Sequence, residues 1–411
     1  MLFSSYPFSD TIKRNLDLLG FRKPTDIQYK SIPSILKGED VLAIAQTGTG
    51  KTAAFAIPVL HILSTQKKKP VASRAPRCLV MVPTHELAVQ VKDVFRSLAK
   101  NTGLQVMALY GGVDQTEQKK QLKQGIDILV ATPGRMFDLR AQGFLLLDFV
   151  EILVLDEADH MLDLGFLHDI NDVLKYVPGK RQTLFFSATI DDGIKKTAYR
   201  MVHNPIRIQV SPKDPVAKNV DHFVLAVPMD EKRFYLERLV KENVDKKILV
   251  FVRTKVRAER VAKAMQRVGI QSLVMHGGID QQARSTILGK FKQSEKLMIA
   301  TDVSARGVDI PDVALVINYD LPEQAEQYVH RVGRTGRGDK RGKAVSFCSD
   351  QEKNVLEDIE HWLGSSVDRL EMSEGERFAV VSQSEEMQYN LKSLMDEIEE
   401  MEKRNKRKGK R

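Results

Sequence analysis

Val41-Leu42-Ala43-Ile44-Ala45-Gln46-Thr47-Gly48-Thr49-Gly50-Lys51-Thr52 joins an unbroken apolar run, a glycine-bearing turn and the start of a helical pattern. A short continuous apolar run reads as a strand buried on both faces, and such strands belong to parallel sheets covered by helices. Glycines at 48 and 50 leave backbone N–H groups open to an anion. Lys51 adds a point charge, and a helix starting there turns its positive dipole end to the same place. Gln46, Thr47, Gly48, Thr49 and Gly50 are therefore candidates to cradle phosphates, with Lys51 on the terminal ones and the Thr52 hydroxyl on Mg2+. Ala45 stands where the strict phosphate-loop pattern has its first glycine, so the reading rests on the strand–turn–helix setting.

Outward from this loop the same grammar repeats. Cys78–Val82, Ile128–Ala131, Ile152–Leu155 and Thr183–Phe186 are apolar runs separated by helical patterns. Ser211–Asn219, with two prolines and mixed charges, breaks the alternation and reads as a linker. It then resumes at Ile248–Val252, Ser272–Met275, Leu297–Ala300, Ala314–Asn318 and Ala344–Phe347, with a closing helix near Glu352–Leu363. The expected class is α/β: a domain over residues 1–210, a linker at 211–219, a second domain at 220–365, and an extension at 366–411 with a flexible basic tail.

The run Ile152–Leu155 ends in Asp156-Glu157-Ala158-Asp159. A strand ending in two carboxylates downstream of a phosphate loop suits Asp156 to Mg2+ and Glu157 to the attacking water. Lone Asp-Glu pairs are common surface acids; the loop upstream is what tips the reading to catalysis.

The 411 residues carry a net charge of +9, and seven basic residues with no acid fall in Lys403–Arg411. That tail suits a polyanionic partner or simple solubility about equally. No apolar run reaches the length of a membrane span, and no secretory leader precedes the first domain. The two cysteines, Cys78 and Cys348, have no metal-ligand or disulfide spacing, which agrees with a reducing cytoplasm.

The tetrad spells D-E-A-D, and the motifs around it, in this order and spacing, make the chain resemble the DEAD-box RNA helicases from residue 3 to about 365. The resemblance implies two RecA-like domains, ATP as the nucleotide, RNA as the partner and a monomer. Phe3 and Gly20–Gln28 are similar to the family's adenine-reading segment, which carries over stacking to Phe21 and base-edge hydrogen bonding to Gln28. Ser187-Ala188-Thr189 resembles the segment coupling hydrolysis to RNA, with Ser187, Thr189 and His330 as coupling residues. His330–Arg337 resembles the arginine-finger segment, giving Arg334 and Arg337 the charge of the transferring phosphoryl group. Two arginines three apart on one helical turn point the same way. Gly307 and Asp309 match the residues at the ribose. Because the phosphate loop and the arginines lie in different domains, the resemblance implies hydrolysis coupled to domain closure.

Family motifs that follow an RNA backbone match at Pro83, Thr84, Gly112, Thr132 and Arg135, then at Arg253, Gly277, Arg284 and Thr301. Hydroxyls, glycine N–H groups and arginines contact phosphate and 2′-OH without reading bases. The chain departs from the family at His85, where arginine is usual, which is expected to weaken one phosphate contact and make it pH-sensitive. It departs again at Gly338, where some members have an aromatic over the adenine. The expected activity is local ATP-driven unwinding or remodelling of short duplexes or of a ribosomal or RNA-decay ribonucleoprotein. Compactness places the chain nearest the bacterial RhlE-type members. A DNA helicase of the wider superfamily and an annealing clamp with a vestigial ATPase are the competing readings. The Gln28 segment argues against the first and the intact Lys51, Asp156, Glu157, Arg334 and Arg337 against the second.

Overall fold

A computed structural model of the chain describes residues 1–46, 48–66, 75–190, 192–210, 216, 219–305, 310, 312–336 and 341–384. Thr47, Gly307, Asp309, Arg337, Gly338, most of 211–219 and all of 385–411 lie outside the described residues. The chain divides into two compact units, with the division after Lys213.

The first unit is a seven-stranded sheet of β1 (Val41–Ala45), β2 (Cys78–Met81), β3 (Val106–Leu109), β4 (Ile128–Ala131), β5 (Ile152–Leu155), β6 (Gln182–Ser187) and β7 (Ile206–Val210). Its order is β3-β4-β2-β5-β6-β1-β7 and every pairing is parallel. Strands β1, β2, β4, β5 and β6 are buried at every position, because helices cover both faces. One face packs against a cluster that includes Phe55, Phe95 and Phe186, the other against one that includes Met136, Met161 and Phe185. The five apolar runs are thus the five inner strands. The sequence reading omitted β3 and β7, the two edge strands: β7 exposes Ile206, Arg207 and Gln209 and has no continuous apolar run, whereas β3 is apolar throughout, alternates only in burial, and was passed over.

The second unit repeats the plan with β8 (Val220–Ala226), β9 (Lys247–Phe251), β10 (Leu273–Met275), β11 (Leu297–Ala300), β12 (Val313–Asn318), β13 (Gly342–Cys348) and β14 (Asp368–Leu370). Its order, β10-β11-β9-β12-β13-β8-β14, is again wholly parallel. Strand β8, carrying Asp221 and His222, was not legible as an apolar run. The sheet also continues past residue 365: β14 pairs with β8 in register Asp368↔Phe223, and the helix Glu374–Ser382 follows it.

Corresponding positions in the two orders have the same connectivity. In both, every crossover is a helix-bearing connection that returns the chain to a parallel strand of the same sheet, so the carboxyl ends of all strands in a sheet lie along one edge. Loops at that edge are where open parallel sheets bind ligands.

Candidate active site and nucleic-acid interface

In the first sheet the strand order segregates the motifs. The adjacent trio β5-β6-β1 leads into Asp156-Glu157, Ser187–Thr189 and the phosphate loop. The adjacent trio β3-β4-β2 leads into Gly111-Gly112, Thr132–Arg135 and Pro83-Thr84. The two groups meet at the β2–β5 pair, where Asp156 donates its N–H to the Met81 carbonyl at 3.0 Å.

The loop takes the conformation its glycines allow. Gly48 and Gly50 have φ of +83° and +90°, and Gly50 caps the helix Lys51–Thr65. Lys51 is 6% exposed and its Nζ has no hydrogen-bond partner among the described residues. A buried, unpartnered ammonium at a helix start, beside two glycines, fits the phosphates of a nucleotide. Thr49 donates its hydroxyl to the Gln46 carbonyl at 2.7 Å and braces the turn. Thr52 is half-buried on the first helical turn.

Gln28 is 3% exposed and part of this loop's support. Its Oε1 accepts from the Thr25 N–H at 3.0 Å and its Nε2 donates to the Gly50 carbonyl at 3.1 Å. The first bond closes a capping box on the helix Asp26–Leu36. The family resemblance implied a role for Gln28 at the adenine; the geometry adds that it ties that helix to the phosphate loop. Phe21 lies edge-to-face on Phe3, with ring centroids 5.9 Å apart, and packs against the core.

The contrast between the two glycines gives a test. A Cβ on Gly48 meets nothing within 4 Å, whereas one on Gly50 falls 2.5 Å from Gln28 Nε2. Gly48→Ala therefore carries only the left-handed backbone cost, about 1–2 kcal/mol. Gly50→Ala carries that cost and also displaces a buried side chain. Titration with a fluorescent ATP analogue is expected to show Gly50→Ala weakened at least about tenfold more than Gly48→Ala. Equal losses would mean that the Gln28 contact does not shape the loop.

Asp156 is 2% exposed, and its Oδ1 accepts from the Glu157 N–H at 3.1 Å. Burial, reinforced by the neighbouring Glu157 and opposed by Lys51, pushes its carboxyl up to about 7. A buried carboxyl whose ionisation is opposed by its surroundings, close enough to feel the charge of Lys51 in the phosphate loop, fits a site that a divalent cation completes. Glu157 has φ +52°, a left-handed conformation that costs a non-glycine residue on the order of 1 kcal/mol and clusters at functional sites.

Two residues of this site were missed by the sequence reading. Asp159 Oδ2 accepts from the Ala188 N–H at 3.1 Å, the Thr189 N–H at 3.2 Å and the Thr189 hydroxyl at 3.3 Å, so it holds the proposed coupling segment to the tetrad. His160 contacts Glu157. The third acid of the tetrad was the available signal for Asp159; His160 had none, since the contact depends on the turn geometry. Ser187 is fully buried, and its Oγ has no partner among the described residues.

At the neighbouring loops, Thr84 caps the helix His85–Leu98 by accepting from the Leu87 N–H at 3.3 Å. The His85 ring stacks on Tyr110 at a centroid distance of 3.6 Å. Arg135 donates to Gln118 Oε1 at 2.8 Å and to the Val113 carbonyl at 2.9 Å, which steadies the turn holding the exposed Gly112 (φ +77°). Pro83 is buried and Thr132 half-buried.

The second unit has its own cluster, following the adjacent trio β10-β11-β9. Arg253 donates its N–H to Asp320 Oδ2 at 3.0 Å and its guanidinium to the Leu321 carbonyl at 3.3 Å. Behind it, the fully buried Lys232 donates to Glu352 at 2.6 Å and to the Tyr319 carbonyl at 2.7 Å. Arg284 donates to the Ser304 carbonyl at 3.3 Å. Gly277 is exposed with open space around its Cα, while Thr301 is 8% exposed and bonded to Ser304. Arg331, unassigned from sequence, is 1% exposed and forks onto Asp302 at 2.6 and 2.5 Å, joining the loop after β11 to the helix Ala325–Val332.

That helix corrects one expectation. It ends at Val332, with Gly333 as its cap, so Arg334 stands in the turn beyond it and not on the helix; Arg337 lies outside the described residues. The turn is compact: Gly336 has φ +66°, and a Cβ there would strike Val220. Arg334 is 5% exposed and donates Nε to the His330 carbonyl at 3.3 Å.

Comparisons with known proteins agree with this geometry. A DEAD/DEAH box helicase model matches residues 25–197, and a Helicase conserved C-terminal domain model matches residues 231–339. The chain is 41% identical to the ATP-dependent RNA helicase CshA of Listeria monocytogenes over 87% of its own length and 68% of the relative's. It is 38% identical to the ATP-dependent RNA helicase DbpA of Bacillus subtilis over 92% and 78%. Among solved structures, S. cerevisiae Dbp5 bound to RNA and ADP BeF3 superposes with a TM-score of 0.81 at 27% identity, covering 92% of this chain and 97% of that one. Mss116p bound to ssRNA and AMP-PNP gives 0.80 at 27% identity, with 92% and 80% covered. With these loops at the carboxyl edges of two parallel sheets, the chain belongs to the DEAD-box family of RNA helicases.

Proposed function

We propose that this chain is an RNA-dependent ATPase that binds the backbone of single-stranded RNA and locally unwinds or remodels short duplexes or ribonucleoproteins. The observation that carries the reading is the sorting of the first sheet's edge into a nucleotide half and an RNA half that meet at Asp156. Phosphates take Lys51 and the N–H groups of residues 46–52, the base takes Phe21 and Gln28, and the ribose takes Gly307 and Asp309. Thr52 and Asp156 would hold Mg2+, which would supply positive charge to the phosphates. Glu157 orients the attacking water and takes its proton, and Asp159 passes the state of the site to Ser187 and Thr189. Arg334 and Arg337 stabilise the transferring phosphoryl group, and His330 couples hydrolysis to RNA. Pro83, Thr84, Gly112, Thr132, Arg135, Arg253, Gly277, Arg284 and Thr301 line the RNA path, with no base reading.

Compactness supports an assignment to the RhlE-type members, although the relatives compared above carry the names CshA and DbpA. No described helix is long and apolar enough to cross a membrane. A cytoplasmic monomer acting on a ribosomal or RNA-decay ribonucleoprotein completes the reading.

Steady-state ATP hydrolysis without nucleic acid, with single-stranded RNA and with DNA of the same sequence tests it. Stimulation by RNA alone is the expected result. Stimulation by both polymers would turn the reading toward a general helicase, and stimulation by neither toward an annealing clamp.

A further inference from the structure

His160 sits on the first turn of the helix Ala158–Asp163, three residues after Glu157. Its Nδ1 lies 3.4 Å from Glu157 Oε2, and its ring is almost wholly buried, with a side-chain exposure of 6%. Its Nε2 is buried and has no hydrogen-bond partner among the described residues. Of the two neutral tautomers, only one suits this surrounding. With the proton on Nδ1, that nitrogen donates to the carboxylate, and Nε2 is left as a bare lone pair. With the proton on Nε2, two lone pairs face each other across 3.4 Å and a buried N–H is orphaned, at about 1–3 kcal/mol.

We infer that His160 is a positioning residue for the proposed base: its Nδ1–H holds one oxygen of Glu157 and thereby aims the other at the attacking water. The left-handed backbone of Glu157 makes such a hold useful. At φ +52° the peptide is already committed to an uncommon conformation, so the direction of the carboxylate depends on the few groups that touch it. Small errors in aim are expensive in rate: a displacement of about 1 Å can lower turnover about a hundredfold. The inference rests on the reading of Glu157 as the base, and it concerns a hydrogen bond, not a change of charge.

The test compares single-turnover ATP hydrolysis with saturating RNA in the parent, His160→Leu, His160→Asn and Glu157→Gln, together with His160→Leu combined with Glu157→Gln. Leucine keeps the volume and removes the donor; asparagine returns a donor close to the place of Nδ1. His160→Leu is expected to hydrolyse about tenfold more slowly, with ATP KM and RNA affinity within about twofold of the parent. His160→Asn is expected to recover most of the rate, and the leucine change to add nothing on the Glu157→Gln background. A rate for His160→Leu within twofold of the parent would overturn the inference. So would a loss confined to KM or RNA affinity, a full tenfold loss persisting in the double variant, or failure of asparagine to rescue a variant whose melting temperature matches the parent's. Retention of parental hydrolysis by Glu157→Gln alone would instead remove the base assignment itself, a distinguishable result.

Discussion

Glu157→Gln is expected to lower RNA-stimulated ATP hydrolysis by about 10²–10⁴ while leaving the fold and nucleotide affinity intact. The substitution keeps size and shape and can still accept from His160, but an amide cannot take the proton of the attacking water. The fold should tolerate it, because Glu157 holds its place through its backbone: its N–H bonds Asp156 and its carbonyl accepts the Met161 N–H at 3.0 Å. Removing this charge also removes one of the influences raising the Asp156 carboxyl, so the variant should be no less stable than the parent near neutral pH. Single-turnover hydrolysis beside titration of a fluorescent ATP analogue separates chemistry from binding. Hydrolysis within tenfold of the parent would move the base to another residue.

Asp156→Asn has a larger effect on stability, and one that depends on pH. The Asp156 carboxyl stands at about 7 in the fold, chiefly through burial, against about 3.9 in an unfolded chain. Between those values the folded protein retains a proton that the unfolded chain has released. Stability contributed by this group is therefore fully present below about pH 4, falls as pH rises toward 7, and is lost above it. At about 1.4 kcal/mol per pH unit the full loss is at most about 4 kcal/mol. Asparagine is neutral throughout and escapes this loss. Without nucleotide or Mg2+, Asp156→Asn should be more stable than the parent at pH 8, by on the order of 1–4 kcal/mol, with the gap narrowing to about a third of that by pH 5 and closing near pH 4, while hydrolysis is lost. Denaturant unfolding at pH 5, 6.5 and 8 checks it. A gap independent of pH would show that Asp156 does not titrate in this window.

Both predictions concern residues readable from the chain, and the reasons differ from place to place. The five inner strands of the first sheet were visible because burial on both faces selects mostly apolar residues. The edge strand Ile206–Val210 was not, since partial solvation admits Arg207 and Gln209, while the wholly apolar Val106–Leu109 was passed over. Asp368–Leu370 is three residues long, too short for any period, and only its pairing with Val220–Ala226 makes it a strand. The helical turn expected to align Arg334 failed because Gly333 caps the helix first, a stop signal inside the motif that pattern matching passed over.

Local chemistry is written in neighbouring residues. Glycines at 48 and 50, a lysine at a helix start and two acids at a strand end act through backbone freedom, dipole and charge within a few residues. Residue type and spacing suffice to recover them, and the family follows from the resemblance of the whole motif set. The strand order is of another kind, as is everything that depends on it. Gln28 reaching the Gly50 carbonyl, Asp159 holding Thr189, Arg331 gripping Asp302 and Lys232 meeting Glu352 join residues 22, 30, 29 and 120 positions apart. No spacing rule connects them. They arise because burial of apolar faces brings distant strands together, and a buried polar group must then find its partner among whatever that packing places within reach.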